Sequence, residues 1–412
     1  MLALGWAVSA WIGGAQAADL AIVHANVLPI SGAEIRDGTV LIQGGRISAV
    51  GAAGAVAIPA GTPTLDAAGG WLMPGIIDVH SHMGVYPWPG GNGHSDGNEA
   101  VEPFTPRAWA GDAFDPEDPA LQRARAGGIT TIQALPGSAN LIGGRSAIVK
   151  LRQARTIGPM LFEGAPVGIK MAVGENPKRV YGEEQDNAAQ LQTRMGEFAA
   201  FREIFQRASE YRAVRAKGGP RDEDLDVLLD VLDDKIRVNL HCYRSQDILS
   251  FYRIADAFGF KVTTLHHALD AYKVRDVIAQ HGTGVATWPD WWGFKLEAWD
   301  GIPWNATLAS QAGVPVALHS DSPDTVQRLY LEAAKMVRYG MSEQDALEAI
   351  TLDPARLLGV EARVGSIEPG KDADLALFSR HPMDVYTLVQ KTWVDGALVY
   401  DRSKEGEPDG IR

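Results

Sequence analysis

The chain has 412 residues, of which 46% are hydrophobic and 22% charged. These fractions are typical of soluble globular proteins and exclude a disordered, collagen-like or coiled-coil chain. Its 38 Lys and Arg residues are outnumbered by 51 Asp and Glu, giving a formal net charge of −13, and without a basic cluster such a chain repels nucleic acid. Cys242 is the single cysteine, so a bound metal must be held by histidines and carboxylates, and an intramolecular disulfide is excluded.

The first 17 residues predict a signal peptide and hence a periplasmic or secreted protein. Residues 2–14 are apolar or small, and Ala15-Gln16-Ala17 has the small-x-small form of a signal peptidase site. No Lys or Arg precedes the apolar stretch, so an N-terminal strand, a buried anchor or a start at another Met stays an alternative. The stretch is shorter than the ~20 residues that a bilayer span needs, and we expect no membrane span.

Both ends of the remaining chain predict short β-strands. The N-terminal segments ADLAIVHANVLPI and GTVLIQGGRISAVG alternate apolar residues with glycine-containing turns, and VGSIEPGKDADLALFS and LVQKTWVDGALVYD follow the same pattern near the C-terminus. We therefore predict one small sheet domain built from both ends of the chain, residues 18–75 and 363–405.

The middle of the chain predicts a parallel sheet. Short apolar strands alternate with helical stretches over residues 191–215, 246–258 and 342–351, which is the pattern of repeated strand–helix units. The segment 76–362 is close in length to a (β/α)8 TIM-like barrel of about 250 residues. The predicted fold is therefore α/β, a barrel with the small sheet domain appended, and barrel chemistry lies at the carboxyl ends of the strands.

The motif PGIIDVHSHMG is the strongest chemical signal. A strand with period two places His80 and His82 on the same side, where two imidazoles suit a divalent metal. Isolated HxH motifs are also found in ordinary cores and surfaces. What favours a metal here is that later apolar runs also end in histidine or aspartate, at His241, His266, His267, His319 and Asp321. Adjacent strand residues point in opposite directions, so only one of His266 and His267 is expected to face the metal.

These motifs, together with the closing GSIEPGKDADLALF and KTWVDGALVYD, resemble the amidohydrolase superfamily of metal-dependent hydrolases. The nearest branch is the imidazolonepropionase-like amidohydrolases, and the resemblance covers nearly all of the chain after residue 17. It implies a barrel with a β-sandwich built from both ends, in agreement with the independent prediction above.

The resemblance also implies the metal ligands. His80 and His82 would bind the more buried metal together with Asp321, and His241 and His267 a second one. The bridging ligand is expected on strand four as carboxylated Lys170, with Glu175 as the alternative, because an uncompensated ammonium in an apolar run is costly. One or two divalent ions are expected, zinc first, with manganese, iron or cobalt as alternatives.

The ligand set implies a mechanism. A metal-activated hydroxide would attack a carbonyl carbon, His267 would serve as a catalytic imidazole, and Asp321 would carry the proton from the water to the departing nitrogen. Asp321-Ser322-Pro323 also has the residue types of a helix N-cap, which is the alternative role for this carboxylate.

Four residues near the strand ends are predicted substrate contacts. Arg244 and Lys295 would neutralise a substrate carboxylate, with surface salt bridges as the alternative, while Tyr243 and Trp292 would offer aromatic surface. Trp292 belongs to the tryptophan-rich segment TWPDWWGFKLEAW, whose rings alternatively cover the barrel mouth or an interface.

The predicted activity is hydrolysis of an amide-type C–N bond, other than a protein peptide bond, in a small substrate. N-acyl amino acids, dipeptides and cyclic amides fit, so dipeptidase activity is included. A lactonase or phosphotriesterase on the same scaffold, or a catalytically silent binding barrel, are the alternatives. The expected partner is the small-molecule substrate, and the sequence leaves homo-oligomerisation open.

Overall fold

The structure, a computed structural model, describes residues 19–182 and 191–405. The predicted signal peptide therefore lies outside the described residues. The strands are β1 (Leu20–Val27), β2 (Ile35–Gln43), β3 (Arg46–Ala52), β4 (Thr64–Asp66), β5 (Trp71–Pro74), β6 (Ile76–Ser81), β7 (Ile129–Ala134), β8 (Ile142–Arg145), β9 (Ala147–Lys150), β10 (Gly168–Ala172), β11 (Arg237–Cys242), β12 (Val262–His267), β13 (Gly284–Thr287), β14 (Val316–Leu318), β15 (Leu375–Phe378), β16 (Val389–Val394) and β17 (Ala397–Asp401).

The helices lie mostly between the central strands. They are α1 (Pro119–Ala126), α2 (Glu175–Gly182), α3 (Arg194–Ala216), α4 (Glu223–Leu232), α5 (Ser245–Phe258), α6 (Arg275–Gln280), α7 (Asn305–Gln311), α8 (Leu329–Arg338), α9 (Glu343–Glu348) and α10 (Leu352–Leu358). The chain thus has the mixed α/β fold that the sequence predicts. Of the three helical stretches singled out from the sequence, the first two match α3 and α5, whereas the third is shorter, because α9 begins after its N-cap Ser342 and ends at Glu348.

Strands from both ends of the chain join one sheet. Its order is β17-β16-β15-β5-β1-β2-β3, with β4 paired to β1. The C-terminal strand β15 runs antiparallel to β5, and Leu377 is paired with Leu72. Side chains from both segments, including Ile22, Ile42, Leu72, Leu375 and Trp393, are buried in a common cluster, so burial of apolar surface holds the two ends together.

The central strands form two further sheets. One has the order β14-β13-β12-β11-β10-β8 and the other β6-β7-β9. The five strands from β10 to β14 are mutually parallel, and β6 is parallel to β7. The backbone N–H of Asp321 donates to the carbonyl of His80 over 3.1 Å, which joins the carboxyl ends of β14 and β6. This contact brings the histidines of both sheets to one edge.

A buried ionic cluster connects β9 to the C-terminal segment. The Lys150 ammonium is fully buried and lies 2.7, 3.1 and 2.5 Å from carboxylate oxygens of Asp372, Asp374 and Asp395. Arg363 also binds the carboxylate of Asp372. Because an unpaired buried charge is costly, this cluster fixes the C-terminal strands to the sheet β6-β7-β9.

Among the described residues, the longest helix is α3, and none of the helices combines the length and apolar character needed to cross a bilayer.

Candidate metal centre and its cavity

Three side chains converge at the joined ends of β6 and β14. The Nε2 atoms of His80 and His82 lie 3.3 Å apart, and Oδ1 of Asp321 lies 3.4 Å from the first and 3.2 Å from the second. Tetrahedral ligands placed about 2.0–2.1 Å from a zinc ion are about 3.3–3.4 Å from one another. The three atoms therefore already have the spacing of three corners of a tetrahedral zinc site, and the residues fit a divalent cation.

The local backbone explains why Asp321 reaches this point. Its φ angle is +50°, in the left-handed region that Asp tolerates better than most residues, and its N–H is held by the His80 carbonyl. The next helical turn begins only at Val326, with Thr325 before it. The alternative that Asp321 is a helix N-cap is therefore wrong; its carboxylate faces the two imidazoles.

A chain of hydrogen bonds fixes the protonation of His80. Asn239 donates its Nδ2 to the carbonyl of Arg237 over 3.2 Å, which orients Oδ1 toward Nε2 of His266 at 3.0 Å. An amide oxygen only accepts, so the His266 proton is on Nε2. Its Nδ1 then accepts from Nδ1 of His80 over 2.9 Å, and the lone pair of His80 is left on Nε2, the atom that faces His82 and Asp321.

The structure corrects the expectation that His266 and His267 point in opposite directions. Both rings contact His80, with centroid distances of 4.7 Å and 4.6 Å. The reason is the backbone of His267, whose φ is +69°, so strand alternation ends at His266. His266 serves as the hydrogen-bond partner of His80, and His267 lines the cavity.

Stacked aromatic rings hold His267 in place. Its ring is stacked on Tyr243 at 5.3 Å and on Trp288 at 4.3 Å. The ring of Trp288 is in turn stacked on Trp291 at 5.0 Å. His267 is therefore confined on both faces, while its Nδ1 has no hydrogen-bond partner.

Lys170 and His241 lie on neighbouring strands next to this centre. Lys170 is fully buried in β10, where Nζ donates to the carbonyl of Pro136 over 3.1 Å. Burial lowers the pKa of its ammonium to about 8. Nε2 of His241 lies 3.4 Å from Nδ2 of Asn176. In the described residues, His241 falls outside the two groups whose ligand atoms all lie within 4.8 Å of one another, His80–His82–Asp321 and His80–His267–His319.

Burial controls the charge of the site. It holds the pKa values of His80, His241 and His267 well below the usual range for histidine, so these imidazoles are neutral and offer lone pairs. For Asp321, burial opposes ionisation, but hydrogen bonding and charge from His82, with the charges of His319 and Lys170, leave its pKa below the ordinary value. The site therefore combines neutral nitrogens with one ionised oxygen, which suits zinc.

The centre opens into a cavity of about 340 Å³ with a mostly polar lining. Strand ends, the loop after β6, the loop after β7 and α2 contribute to it. The lining residues are His82, Tyr86, Asn98, Gly137, Ser138, Ala139, Asn176, Arg179, Val180, His241, Tyr243, His267 and Asp321. A space of this size accepts a small molecule.

The four predicted substrate contacts are placed differently. Tyr243 lines the cavity. Lys295 lies directly behind it, with Nζ 4.1 Å from the centre of the Tyr243 ring and donating to Oδ1 of Asn176 over 3.2 Å. Arg244 is exposed at the start of α5, and Trp292 is 42% exposed; neither lines the cavity.

Several cavity residues were not predicted as substrate contacts from the sequence. Asn176, Arg179 and Val180 share one face of α2, since residues three and four apart on a helix are neighbours. That spacing was visible in the sequence, but nothing in it placed α2 over the strand ends. Ser138 and the hydrogen-bonded pair Asn98 and Tyr86 come from loops, whose path no local pattern fixes.

The chain is similar to known amidohydrolases. A model of the amidohydrolase family matches residues 270–400. A solved amidohydrolase from Thermotoga maritima MSB8 is 37% identical, with a TM-score of 0.87, over 93% of this chain and 100% of that one. Amidohydrolase tasK of Hapsidospora irregularis is 34% identical over 88% of this chain, which spans only 40% of tasK. Imidazolonepropionase of Cupriavidus taiwanensis is 26% identical over 88% of this chain and 90% of that protein.

These likenesses extend over both the strands that carry the histidines and the sheet built from both chain ends. The chain belongs to the amidohydrolase family, which confirms the resemblance drawn from its motifs.

Proposed function

We propose that this protein is a metal-dependent hydrolase that cleaves an amide-type C–N bond in a small, polar substrate carrying a carboxylate. The observation that carries the proposal is the triangle of His80, His82 and Asp321, whose atoms have tetrahedral spacing and whose outer face opens on a polar cavity. N-acyl amino acids, dipeptides and cyclic amides are the substrates of this class, and dipeptide cleavage is one of the activities to test.

A cation held by His80, His82 and Asp321, with zinc as our proposal, would supply Lewis acidity toward water and toward a carbonyl oxygen. Lys170, as a carboxylated lysine, and His241 are the residues proposed to hold a second ion with His267. Two features support this wider set. Lys170 is completely buried among the histidine-bearing strands, and Nδ1 of both His241 and His267 lacks a hydrogen-bond partner.

Asp321 is the residue that moves the proton. Its carboxylate is ionised and one-fifth exposed, so the oxygen that does not bind the cation can accept a proton from the attacking water and deliver it to the departing nitrogen. His267, neutral and confined between Tyr243 and Trp288, can hydrogen-bond to the substrate carbonyl from a fixed position. Fixed donors stabilise developing charge because they need no reorganisation during the reaction.

The charges around the cavity favour an anionic substrate. Arg179 lines it. The ammonium of Lys295 lies behind Tyr243 and Asn176, but it is already ion-paired with Glu297 at 3.6 Å and Glu175 at 3.7 Å. Asp321 is the only carboxylate among the lining residues of the described chain. An arginine binds a carboxylate with two parallel hydrogen bonds. If the substrate carboxylate binds Arg179, the amide bond of the substrate can face Asp321.

The finer architecture is also a proposal. We infer a (β/α)8 barrel over residues 76–362 with a β-sandwich made of residues 18–75 and 363–405. The parallel run from β10 to β14 and the contact between β14 and β6 support the first, and the sheet shared by both chain ends supports the second. Export of the protein is proposed on the sequence of residues 1–17.

One panel tests the activity. The zinc-loaded protein is assayed for release of the amine from N-acyl amino acids, dipeptides and cyclic amides, with lactones and aryl phosphotriesters as comparison substrates. We expect turnover of the carboxylate-bearing amides and its loss in His80→Asn/His82→Asn. Turnover of only the lactones or phosphotriesters, or full activity in the double variant, would refute the proposal.

A second comparison tests the carboxylate. Arg179→Gln should raise KM for an N-acyl amino acid at least about tenfold and leave KM for the matching amino acid amide nearly unchanged, because the interaction lost is one charge-assisted pair. Lys178→Gln on the same helix is the matched control, since Lys178 does not line the cavity. An equal rise for both substrates would show that Arg179 has no role in binding the carboxylate.

A further inference from the structure

His319 is a buried histidine for which the proposed mechanism has no role. It follows β14, two residues before Asp321, and is 0% exposed. Neither Nδ1 nor Nε2 has a hydrogen-bond partner. Burial lowers the pKa of His319 to about 4, and the backbone of Ala286 opposes this shift only weakly, since its contact with the ring falls short of hydrogen-bond geometry.

An imidazole in this state is costly to bury. A neutral ring has one N–H and one lone pair, and each of these groups, buried without a partner, loses its hydrogen bond to water without replacing it. The rings around His319 are those of His80 at 4.8 Å, His267 at 5.1 Å and Trp288 at 4.8 Å. Two of these neighbours, His80 and His267, bring nitrogens that can bind a metal, and Nδ1 of His267 also lacks a hydrogen-bond partner.

The arrangement of these nitrogens indicates a metal ion as the missing partner. One ring nitrogen from each of His80, His267 and His319 lies within 4.8 Å of the other two, and all three residues are buried. Three neutral imidazoles are a ligand set for zinc, copper, nickel or cobalt. Both nitrogens of His319 and Nδ1 of His267 lack a hydrogen-bond partner, and each neutral ring has one lone pair that can bind a cation.

We propose that His319 is a metal ligand and that it forms, with His80 and His267, an inner cation position distinct from the outer position of His80, His82 and Asp321. The inference rests on the proposed metal dependence but goes beyond it. The inner position has only nitrogen ligands and is closed to solvent, whereas His82 and Asp321 are each about one-fifth exposed, at 20% and 21%.

The two positions exclude each other. The hydrogen bond from Nδ1 of His80 to His266 leaves His80 a single lone pair, on Nε2, and a nitrogen lone pair binds one cation at a time. A cation bound at the inner position is therefore withdrawn from the outer one. The inner position therefore shares His80 with the outer position and His267 with the second ion proposed for His241 and Lys170.

The test uses Co²⁺ binding to the metal-free full chain, followed by its visible absorption and by stoichiometry. In His82→Asn/Asp321→Asn the outer position is removed, and we expect about one Co²⁺ still to bind. Adding His319→Asn should weaken that binding at least tenfold and change the absorption bands. Adding His241→Asn instead separates the inner position from the second ion proposed for His241, Lys170 and His267. If the residual Co²⁺ lies in the inner position, whose group does not include His241, its affinity and absorption stay unchanged. His94→Asn, a change at an exposed histidine, controls for surface binding.

Two results would overturn the proposal. One is that the double variant binds no Co²⁺ although circular dichroism shows it to be folded. The other is that His319→Asn leaves affinity and spectrum unaltered while His241→Asn abolishes binding, which would assign the residual ion to His241 and Lys170. If the triple variant does not fold, His319→Gln replaces His319→Asn in the same His82→Asn/Asp321→Asn background and must give the same loss of affinity. No hydrolysis is measured, so a failed amidase assay and a failed inner position are separate outcomes.

Discussion

Nδ1 of His80 and Nδ1 of His266 are joined by a hydrogen bond of 2.9 Å. Asn239, which is hydrogen-bonded to His266 and is not itself a candidate ligand, determines which of the two nitrogens donates. Because the amide oxygen of Asn239 only accepts, it fixes the proton of His266 and, through it, that of His80. Outer partners of this kind orient metal-binding histidines in many proteins and set the basicity of the ligand atom. His266 and Asn239 are therefore positioning residues for His80.

We expect Asn239→Leu to weaken zinc affinity about 10–100-fold, the range found when outer partners of metal ligands are lost. The acceptor for His266 disappears, so its proton and that of His80 are no longer fixed. Asn239→Asp keeps an acceptor at the same place and should retain most of the affinity. Competition with a chromophoric chelator measures both variants. Equal affinity of Asn239→Leu and the unchanged chain would show that the hydrogen-bond chain does not orient His80.

Asp321→Asn is predicted to lower kcat at least about 100-fold, the lower end of what a positioned acid–base group supplies. Asparagine keeps the shape of the side chain but cannot accept the proton of the attacking water. Since Asp321 is not a helix cap, thermal stability of the metal-free protein should change little. Steady-state kinetics with zinc content measured in the same sample separates proton transfer from metal loss. Near-normal kcat would move the search for the proton carrier to His319 or His266.

Lys170→Ala and Glu175→Gln should differ in their metal content. Lys170 is fully buried on β10, whereas Glu175 begins α2 and lies 3.7 Å from Lys295. If Lys170 is carboxylated, Lys170→Ala should lose about one metal equivalent and regain part of it with added short carboxylic acids, while Glu175→Gln keeps its metal. Elemental analysis after dialysis measures the metal content of both variants. The reverse pattern would assign the bridging role to Glu175.

Glu197 is predicted to make stability fall as pH rises. It is completely buried on α3, and burial raises its pKa to about 8 from 4.5. The folded state therefore holds a proton that the unfolded state has released, and unfolding becomes easier by up to about 1.4 kcal/mol per pH unit between these two values. Glu197→Gln keeps the acceptor for the N–H of Gly174 and should flatten the dependence of Tm on pH between 5 and 8.

The exposed Glu210→Gln on the same helix is the matched control and should leave the pH dependence unchanged. Asp78, with a pKa raised by burial to about 7, contributes a slope of the same sign, so some dependence remains in Glu197→Gln. A slope identical to that of the unchanged chain would show that Glu197 is ionised in the folded protein.

The sequence predicted the parts of the fold and site that depend on local periodicity. Strand β12 ends at His267, and β6 and β11 each end one residue after His80 and His241, where apolar runs meet histidine. Period two correctly brought His80 and His82 together. Local patterns cannot show departures from a regular backbone. The positive φ of His267 placed its ring beside that of His266 against His80, contrary to the alternation expected in a strand.

Contacts between segments that are distant in the chain could not be predicted from the sequence either. Arg179 reaches the cavity because α2 lies over the strand ends, and Asn239 acts through His266, 27 residues later. Arg244 shows the converse: its sequence position close to His241 suggested a shared cavity, but the chain has already turned into α5 and the side chain is exposed. The roles of Arg179, Asn239 and Arg244 are set by tertiary contacts and not by local sequence.

The buried ammonium of Lys150 bears on how the molecule unfolds. All three carboxylates around it come from residues after 371. Detaching the C-terminal strands would therefore leave the Lys150 ammonium buried in β9 without a counter-charge, and would weaken the pairing of β9 with β7. Losing one partner of a buried ion pair costs about 3–5 kcal/mol. The terminal sheet and the histidine-bearing strands should consequently melt in a single cooperative transition, and a chain ending before Asp372 should fail to accumulate as a soluble protein even though every candidate metal ligand would still be present.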